Sequence, residues 1–203
     1  MKGISALILA AGTASRMGCT KQLLHLDEVP LLERVVQSVT PFTFAEIIIV
    51  IGHDAKQIKN NIDLKDERCR WMFNSDYKKG KSHSLKVGIA AIQTEHVMVF
   101  LGDMPFISHT TIVKTYERGK RWAKKQSNSF VIRPVHRSVP GHPVFFGNIK
   151  QFNFHNLTAD QGVRTLMQQM NNYDEIPVAD DGSILDIDTP EAYELAKQRW
   201  KTR

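Results

Sequence analysis

The 203-residue sequence is poor in cysteine and lacks long apolar runs. Its two cysteines, Cys19 and Cys69, are too few and too far apart for a zinc site or a disulfide framework. No apolar run approaches the roughly 20 residues that a membrane-spanning helix needs. One lysine precedes the apolar segment 4–9, which predicts a strand rather than a signal peptide. We therefore expect a cytoplasmic protein with no membrane partner.

The sequence carries a net charge of +6, from 27 Lys and Arg against 21 Asp and Glu, which favours a protein that handles anions. The basic residues concentrate in segments 78–81 and 118–125. Nucleic-acid binding would require aromatic side chains interleaved with these charges, and Trp122 alone is weak support. We therefore expect no nucleic-acid partner, and the segment 118–125 predicts a solvated basic helix end.

Apolar runs alternate with helical patterns, which predicts an α/β fold with a mostly parallel sheet. The clearest strands are Ile4–Leu9, Glu46–Ile51 and His96–Leu101. Helices are predicted to open at Pro30, at a cap formed by Ser82 or Ser84, and at Pro190. A β-rich stretch over 129–146 breaks the alternation and should end in a strand that pairs differently. We expect one domain over residues 1–203, with no internal repeat or linker.

The segment that follows the first strand is the most informative part of the sequence. The small residues Ala10, Ala11 and Gly12 lead into two cations, Arg16 and Lys21. A strand that delivers a flexible loop with free backbone N–H groups and fixed cations is suited to hold a polyphosphate. The spacing matches neither a P-loop nor the dinucleotide fingerprint G-x-G-x-x-G. We interpret it as a different nucleotide-binding loop.

Two acidic segments are candidate cation sites. Asp103 follows the strand His96–Leu101, where ligands of open α/β sheets bind, and a carboxylate there can hold Mg²⁺ with substrate phosphates. A turn would equally explain its Gly-Asp-Met-Pro context. Near the C-terminus, Asp188 or Thr189 would make a good N-cap before Pro190, a structural role that is compatible with ligation by Asp188.

The segment Leu9–Lys21 resembles, except at Ala14 in the serine position, the L-A-A-G-x-S-x-R-M-G-x-x-K signature of MobA-like nucleotidylyltransferases, closest to the molybdenum cofactor cytidylyltransferases. Further similarities at 74–85, 101–105, 141–146, 157–164 and 185–193 extend over residues 7–193. The resemblance implies a Rossmann-like three-layer α/β/α nucleotidyltransferase fold. It also implies a nucleotide-binding N-terminal half and an acceptor-binding C-terminal half.

The resemblance also implies roles for individual residues. The implied catalytic residues are Arg16, Lys21 and Asp103, and the implied metal ligands are Asp103 and Asp188. The nucleotide would be bound by Leu9, Ala10, Ala11, Gly12, Arg16, Lys21, Gly80, Ser84 and Asp103. The acceptor would be bound by Gly141, His142, Pro143 and Asp160. His83 and Ala159 depart from the family pattern, which has a small residue and a glycine there.

The implied reaction moves CMP from CTP to the phosphate of molybdopterin or its molybdenum-loaded form, with Mg²⁺ or Mn²⁺, and releases pyrophosphate. The product would serve xanthine-dehydrogenase-type enzymes. A sugar-phosphate or polyol-phosphate nucleotidylyltransferase would use the same loop and metal with another acceptor pocket. A third hypothesis is a maturation chaperone that binds the cofactor and docks onto an apo-molybdoenzyme, with the basic face at 118–125 as the contact surface.

Overall fold

A computed structural model describes residues 3–13, 17–154 and 172–202 of the chain. Its main strands are β1 (Ile4–Leu9), β4 (Ile47–Ile51), β5 (Cys69–Phe73), β6 (His96–Leu101), β7 (Phe130–His136), β9 (Val144–Gly147) and β10 (Tyr173–Pro177). Three two-residue strands are also present: β2 (His25–Leu26), β3 (Val29–Pro30) and β8 (Val139–Pro140). The α-helices within the described ranges are α1 (Leu31–Val39), α2 (Ala55–Asn61), α3 (Lys81–Ala91), α4 (His109–Ala123) and α5 (Pro190–Lys201).

One large, mostly parallel sheet has the strand order β10-β7-β9-β6-β1-β4-β5, and β8 pairs with β7. Strand β1 pairs in parallel with both β4 and β6, as the continuous apolar runs predict. Strand β9 is antiparallel to β6 on one side and to β7 on the other. The prediction that the β-rich stretch ends in a differently paired strand is therefore confirmed.

The helices cover both faces of this sheet. Apolar residues of α1, α2 and α4 share one buried cluster with alternate residues of β1, including Ile8. On the other face Leu85 of α3 packs in a second cluster with Leu7 and Val50. Alternation of side chains along each strand supplies both clusters from the same strands. The predicted three-layer α/β/α architecture is confirmed.

Two predicted helix starts are wrong in detail. Gly80 occupies the N-cap of α3 and no side chain caps it, whereas Ser82 and Ser84 lie buried inside the first turn. Their burial directs them toward the fold interior rather than back to the helix end. Pro30 ends the short strand β3 and forms the N-cap of α1 instead of its first residue. By contrast, the Thr189 hydroxyl caps α5 as predicted, by accepting the Ala192 N–H.

Candidate functional site

A cavity of about 400 Å³ opens at the carboxyl ends of β1 and β6. Its wall includes predicted nucleotide-binding residues from three segments: Leu9, Ala10, Ala11, Gly12, Lys21, Gly80, Ser84 and Asp103. The carboxyl ends of neighbouring parallel strands are the usual ligand site of an open α/β sheet. The structure therefore brings together residues that lie up to 94 positions apart (103 − 9).

The loop after β1 is shaped by contacts that sequence analysis did not assign. The Gln22 side-chain amide donates hydrogen bonds to the carbonyls of Ala10 at 2.7 Å and Gly12 at 3.2 Å. Gln22 is 2% exposed, so it acts as an internal brace for the loop. Across the loop, a Cβ on Gly102 would lie 2.8 Å from the Ala10 Cβ, which explains why glycine precedes Asp103.

Lys21 is the electrostatic centre of the site. Its ammonium group donates to Asp103 Oδ2 at 2.6 Å and also contacts Asp188 Oδ1. Burial alone would lower the pKa of Lys21, but the two carboxylates, Asp103 first, outweigh it and raise that pKa above its usual value. Lys21 is thus a fixed positive charge between two acidic groups.

A backbone hydrogen bond of the neighbouring residue holds Asp188 beside Lys21. The Ile187 N–H donates to the Asp103 carbonyl at 3.0 Å, which ties the segment before α5 to the turn after β6. Asp188 and Asp103 then meet at one ammonium group, although 85 positions separate them (188 − 103). The two predicted metal ligands therefore lie side by side.

The two carboxylates fit a divalent cation that shares its coordination with substrate. Asp103 Oδ1 is buried and has no hydrogen-bond partner among the described residues, so one acceptor oxygen is available. The described ranges contain no cluster of three or more His, Cys, Asp or Glu side chains suited to a metal. Mg²⁺ prefers one or two carboxylates completed by phosphate oxygens and water. This donor set suits a cation that arrives with a nucleotide.

The far wall of the cavity comes from the start of α3 and the turn before it. Tyr77, Lys78 and Lys81 line it together with Gly80 and Ser84. Lys78 and Lys81 belong to the basic segment 78–81, whose charge predicted anion handling without a specific site. A Cβ on Gly52 would meet the Tyr77 Cβ at 2.4 Å, so glycine at 52 makes room for the Tyr77 side chain.

Of the predicted acceptor residues, Gly141, His142 and Pro143 are among the described residues, and they lie outside this cavity wall. Gly141 packs against the Ser183 backbone, where a Cβ would come within 2.5 Å of the Ser183 oxygen, and His142 N–H donates to the same carbonyl at 2.8 Å. His142 is half-buried and its Nδ1 has no partner in the described part of the chain. Burial lowers its pKa to about 4, and it senses the charge of Asp103.

Other predicted features lie outside the described residues or away from the cavity. Arg16 and Asp160 lie outside the described residues. In the basic segment, Arg118 pairs with Asp174 and Lys120 with Glu117, whereas Trp122 packs on Phe130. Part of that segment therefore makes ion pairs and ring contacts within the chain. None of the helices in the described ranges is long and apolar enough to cross a bilayer.

Comparison with known proteins identifies the family. The model of the MobA-like NTP transferase domain matches residues 6–175. The chain belongs to the MobA-like NTP transferase family. It is a nucleotidyltransferase, and the cavity lies within the matched region of this family domain.

A curated relative and two solved structures are similar along nearly the whole chain. The molybdenum cofactor cytidylyltransferase of Escherichia coli K12 is 29% identical over 203 residues, covering 98% of each sequence. A nucleotidyl transferase from Methanothermobacter has the same fold, with a TM-score of 0.82, 21% identity and full coverage of both chains. The manganese complex of Rv0371C from Mycobacterium tuberculosis H37Rv gives a TM-score of 0.76 at 20% identity, covering 97% of this chain and 98% of that one.

Proposed function

We propose that this protein transfers CMP from CTP to the terminal phosphate of molybdopterin or its molybdenum-loaded form and releases pyrophosphate. The observation that carries the proposal is the position of Lys21 between Asp103 and Asp188, at the end of the segment 9–21 that carries the family signature. The relative from Escherichia coli, similar over 98% of the chain, supports the choice of base and acceptor. Ala11, the third residue of the Leu-Ala-Ala-Gly motif, lines the cavity. This form of the motif resembles that of the cytidylyltransferases, which supports CTP as the nucleotide.

In this reaction an oxygen of the acceptor phosphate forms a bond to the α-phosphorus of CTP, while the bond from that phosphorus to pyrophosphate breaks. The acceptor phosphate is ionised at neutral pH, so the chain need not supply a general base. Positioning and charge neutralisation are the main demands on the protein. Lys21 meets the second demand because its neighbours keep it protonated.

Asp103 and Asp188 would hold Mg²⁺ or Mn²⁺, which would supply charge neutralisation on the phosphate oxygens. Arg16 and the loop N–H groups would hold the triphosphate. The nucleotide-binding half of the molecule would contain the residues that line the cavity, all of which lie between positions 9 and 103. Gly141, His142, Pro143 and Asp160 would bind the acceptor, and His142 would do so as a neutral ring because its pKa is about 4.

The test is pyrophosphate release with Mg²⁺, each of the four NTPs, and molybdopterin or its molybdenum form as acceptor. We expect release with CTP and a loss of roughly 100-fold or more in Asp103→Asn, because the variant lacks one anionic ligand. Asp181→Asn is the matched control, since exposed Asp181 pairs with Arg199 away from the cavity.

Three outcomes would contradict parts of the proposal. Release with another NTP would correct the base and keep the chemistry. Release only with a sugar phosphate or polyol phosphate would replace the acceptor. Equal rates in wild type and Asp103→Asn would exclude the proposed site, and a cofactor-binding chaperone would then become the better hypothesis.

A further inference from the structure

The loop between β5 and α3 contains a buried amide whose orientation is fixed. Asn74 follows β5 and is 1% exposed. Its side-chain oxygen Oδ1 accepts a hydrogen bond from the Asp76 N–H at 3.0 Å. A backbone N–H can only donate, so the opposite orientation of the amide would set two donors against each other. The Asn74 oxygen therefore faces the loop, and its nitrogen faces the other way.

The Asn74 nitrogen determines how Ser84 uses its hydroxyl. Asn74 Nδ2 lies 3.0 Å from Ser84 Oγ, and an amide nitrogen can only donate. Ser84 must therefore accept this bond, which leaves its single proton for another partner. Ser84 is 4% exposed and lines the cavity. Its hydroxyl proton is thus the natural donor to a ligand there.

His83 holds the same amide from a second side. Its Nδ1 lies 3.0 Å from Asn74 Oδ1, and since that oxygen is an acceptor, Nδ1 must carry the proton. The other ring nitrogen lies 3.7 Å from Asp76 Oδ2. His83 stands where the resembled segment has a small residue. Its ring therefore adds a second donor that locks Asn74.

We propose that Asn74 and His83 are positioning residues that fix Ser84 as a hydrogen-bond donor to the nucleoside part of the bound nucleotide. This inference rests on the proposed function in taking CTP as the ligand. The chemistry recognised is an acceptor atom, either on the cytosine ring or on the ribose. Asn74 and His83 set the direction of the Ser84 bond without touching the nucleotide.

The isosteric variant Asn74→Asp tests the direction directly. A carboxylate still accepts from the Asp76 N–H and from His83, but it presents an acceptor where the amide nitrogen donated. Ser84 must then donate to residue 74 and turns only lone pairs toward the cavity. We expect calorimetric titration with CTP and Mg²⁺ to show weaker binding by about 5- to 10-fold.

Two comparisons separate this mechanism from a general structural defect. Ser84→Ala should weaken CTP binding by a similar factor, and the double variant should bind no more weakly than Asn74→Asp alone. In steady-state assays the KM for CTP should rise while kcat changes little. Losses that multiply in the double variant would overturn the inference, because they would show independent roles.

The matched control is Asn148→Asp. Asn148 also donates through its Nδ2, to the carbonyls of Gln126 and Asn128, and lies outside the cavity wall. It loses the same donor group, so its CTP affinity should equal that of wild type. Should Asn74→Asp fail to fold, His83 provides a second test. His83→Leu should weaken CTP binding, and His83→Asn should restore it, because its amide can place a donor near the Nδ1 position.

Titration with 2′-deoxy-CTP distinguishes the two sources of the acceptor atom. If Ser84 bonds the base, Ser84→Ala weakens the binding of CTP and 2′-deoxy-CTP equally. If it bonds the ribose 2′-oxygen, wild type already binds 2′-deoxy-CTP weakly and the variant loses nothing further. Wild-type affinity in Asn74→Asp would overturn the inference and leave the proposed function intact.

A wild-type protein that binds another NTP instead of CTP would contradict the proposed base. The same variants are then titrated with that nucleotide. Equal affinities of wild type and Asn74→Asp for it would overturn the inference as well.

Discussion

His142 illustrates how one residue couples the fold to pH. Burial lowers its pKa in the folded protein to about 4, whereas an unfolded histidine titrates near 6.5. Between these values the unfolded chain binds a proton that the folded chain does not. The free energy of unfolding should therefore fall as the pH drops from about 6.5 toward 4. Burial also lowers the pKa of His96, which acts in the same direction.

Urea unfolding of wild type and His142→Asn at pH 7.5, 5.5 and 4.5 checks this prediction. The variant should lose less stability than wild type between the highest and the lowest pH, because one depressed pKa is gone. His25→Asn, at an exposed histidine, should follow the wild-type profile. Parallel profiles for wild type and His142→Asn would contradict the assigned pKa.

At this scale the sequence indicated the residue types of the site but not their mutual contacts. The signature loop and the Gly-Asp-Met-Pro turn predicted Lys21 and Asp103 near one phosphate site. That Lys21 sits between two carboxylates depends on pairings across 82 and 167 positions, which no local pattern encodes. Gln22 and Asn74 act through buried hydrogen bonds, and a polar residue gives no sign of burial in a single sequence.

Among the elements, α4 carries a glycine where helix propensity would favour alanine. A Cβ on Gly119 would lie 2.3 Å from Phe145 Cδ2 of β9, so the helix approaches the sheet closely there. Gly119→Ala should lower the free energy of unfolding by roughly 1–2 kcal/mol, because overpacking outweighs the gain in propensity. Chemical denaturation measures this difference directly.

The control for Gly119→Ala lies in the same helix. Thr110→Ala is an exposed change that should be neutral or slightly stabilising. Adding Phe145→Leu to Gly119→Ala should cost less than it costs wild type, because the smaller side chain relieves the clash. A Gly119→Ala protein more stable than wild type would show that the helix can shift away.

The elements predicted best are those with strong local patterns. Strands β1 and β6 have the predicted bounds because continuous apolar runs suit strands covered on both faces. The edge strands β5 and β10 were not predicted, since charged residues such as Arg70 and Asp174 interrupt their apolar pattern. The serine caps of α3 were wrong because the packing of this helix buries both serines, and burial depends on tertiary structure.

For the whole molecule, a ligand in the cavity should add stability. CTP with Mg²⁺ at 100 times its Kd should add about 2.7 kcal/mol to the free energy of unfolding. For a chain of this size that corresponds to a rise in Tm of roughly 5–10 °C. Differential scanning fluorimetry gives the shift for wild type and for Asp188→Asn, in which we expect a smaller rise. An equal shift for CTP without Mg²⁺ would contradict the proposed metal site.

The place of β9 in the sheet has a consequence for synthesis on the ribosome. Strands β1, β4, β5 and β6 all come from the first 101 residues and can pair as soon as they emerge. Strand β7 emerges before β9, yet β9 separates it from β6. Until residue 147 leaves the exit tunnel, β6 therefore has one unpaired edge, and β7 can pair only at its end, with the two-residue strand β8. That interval is when co-translational chaperones would protect the growing chain most.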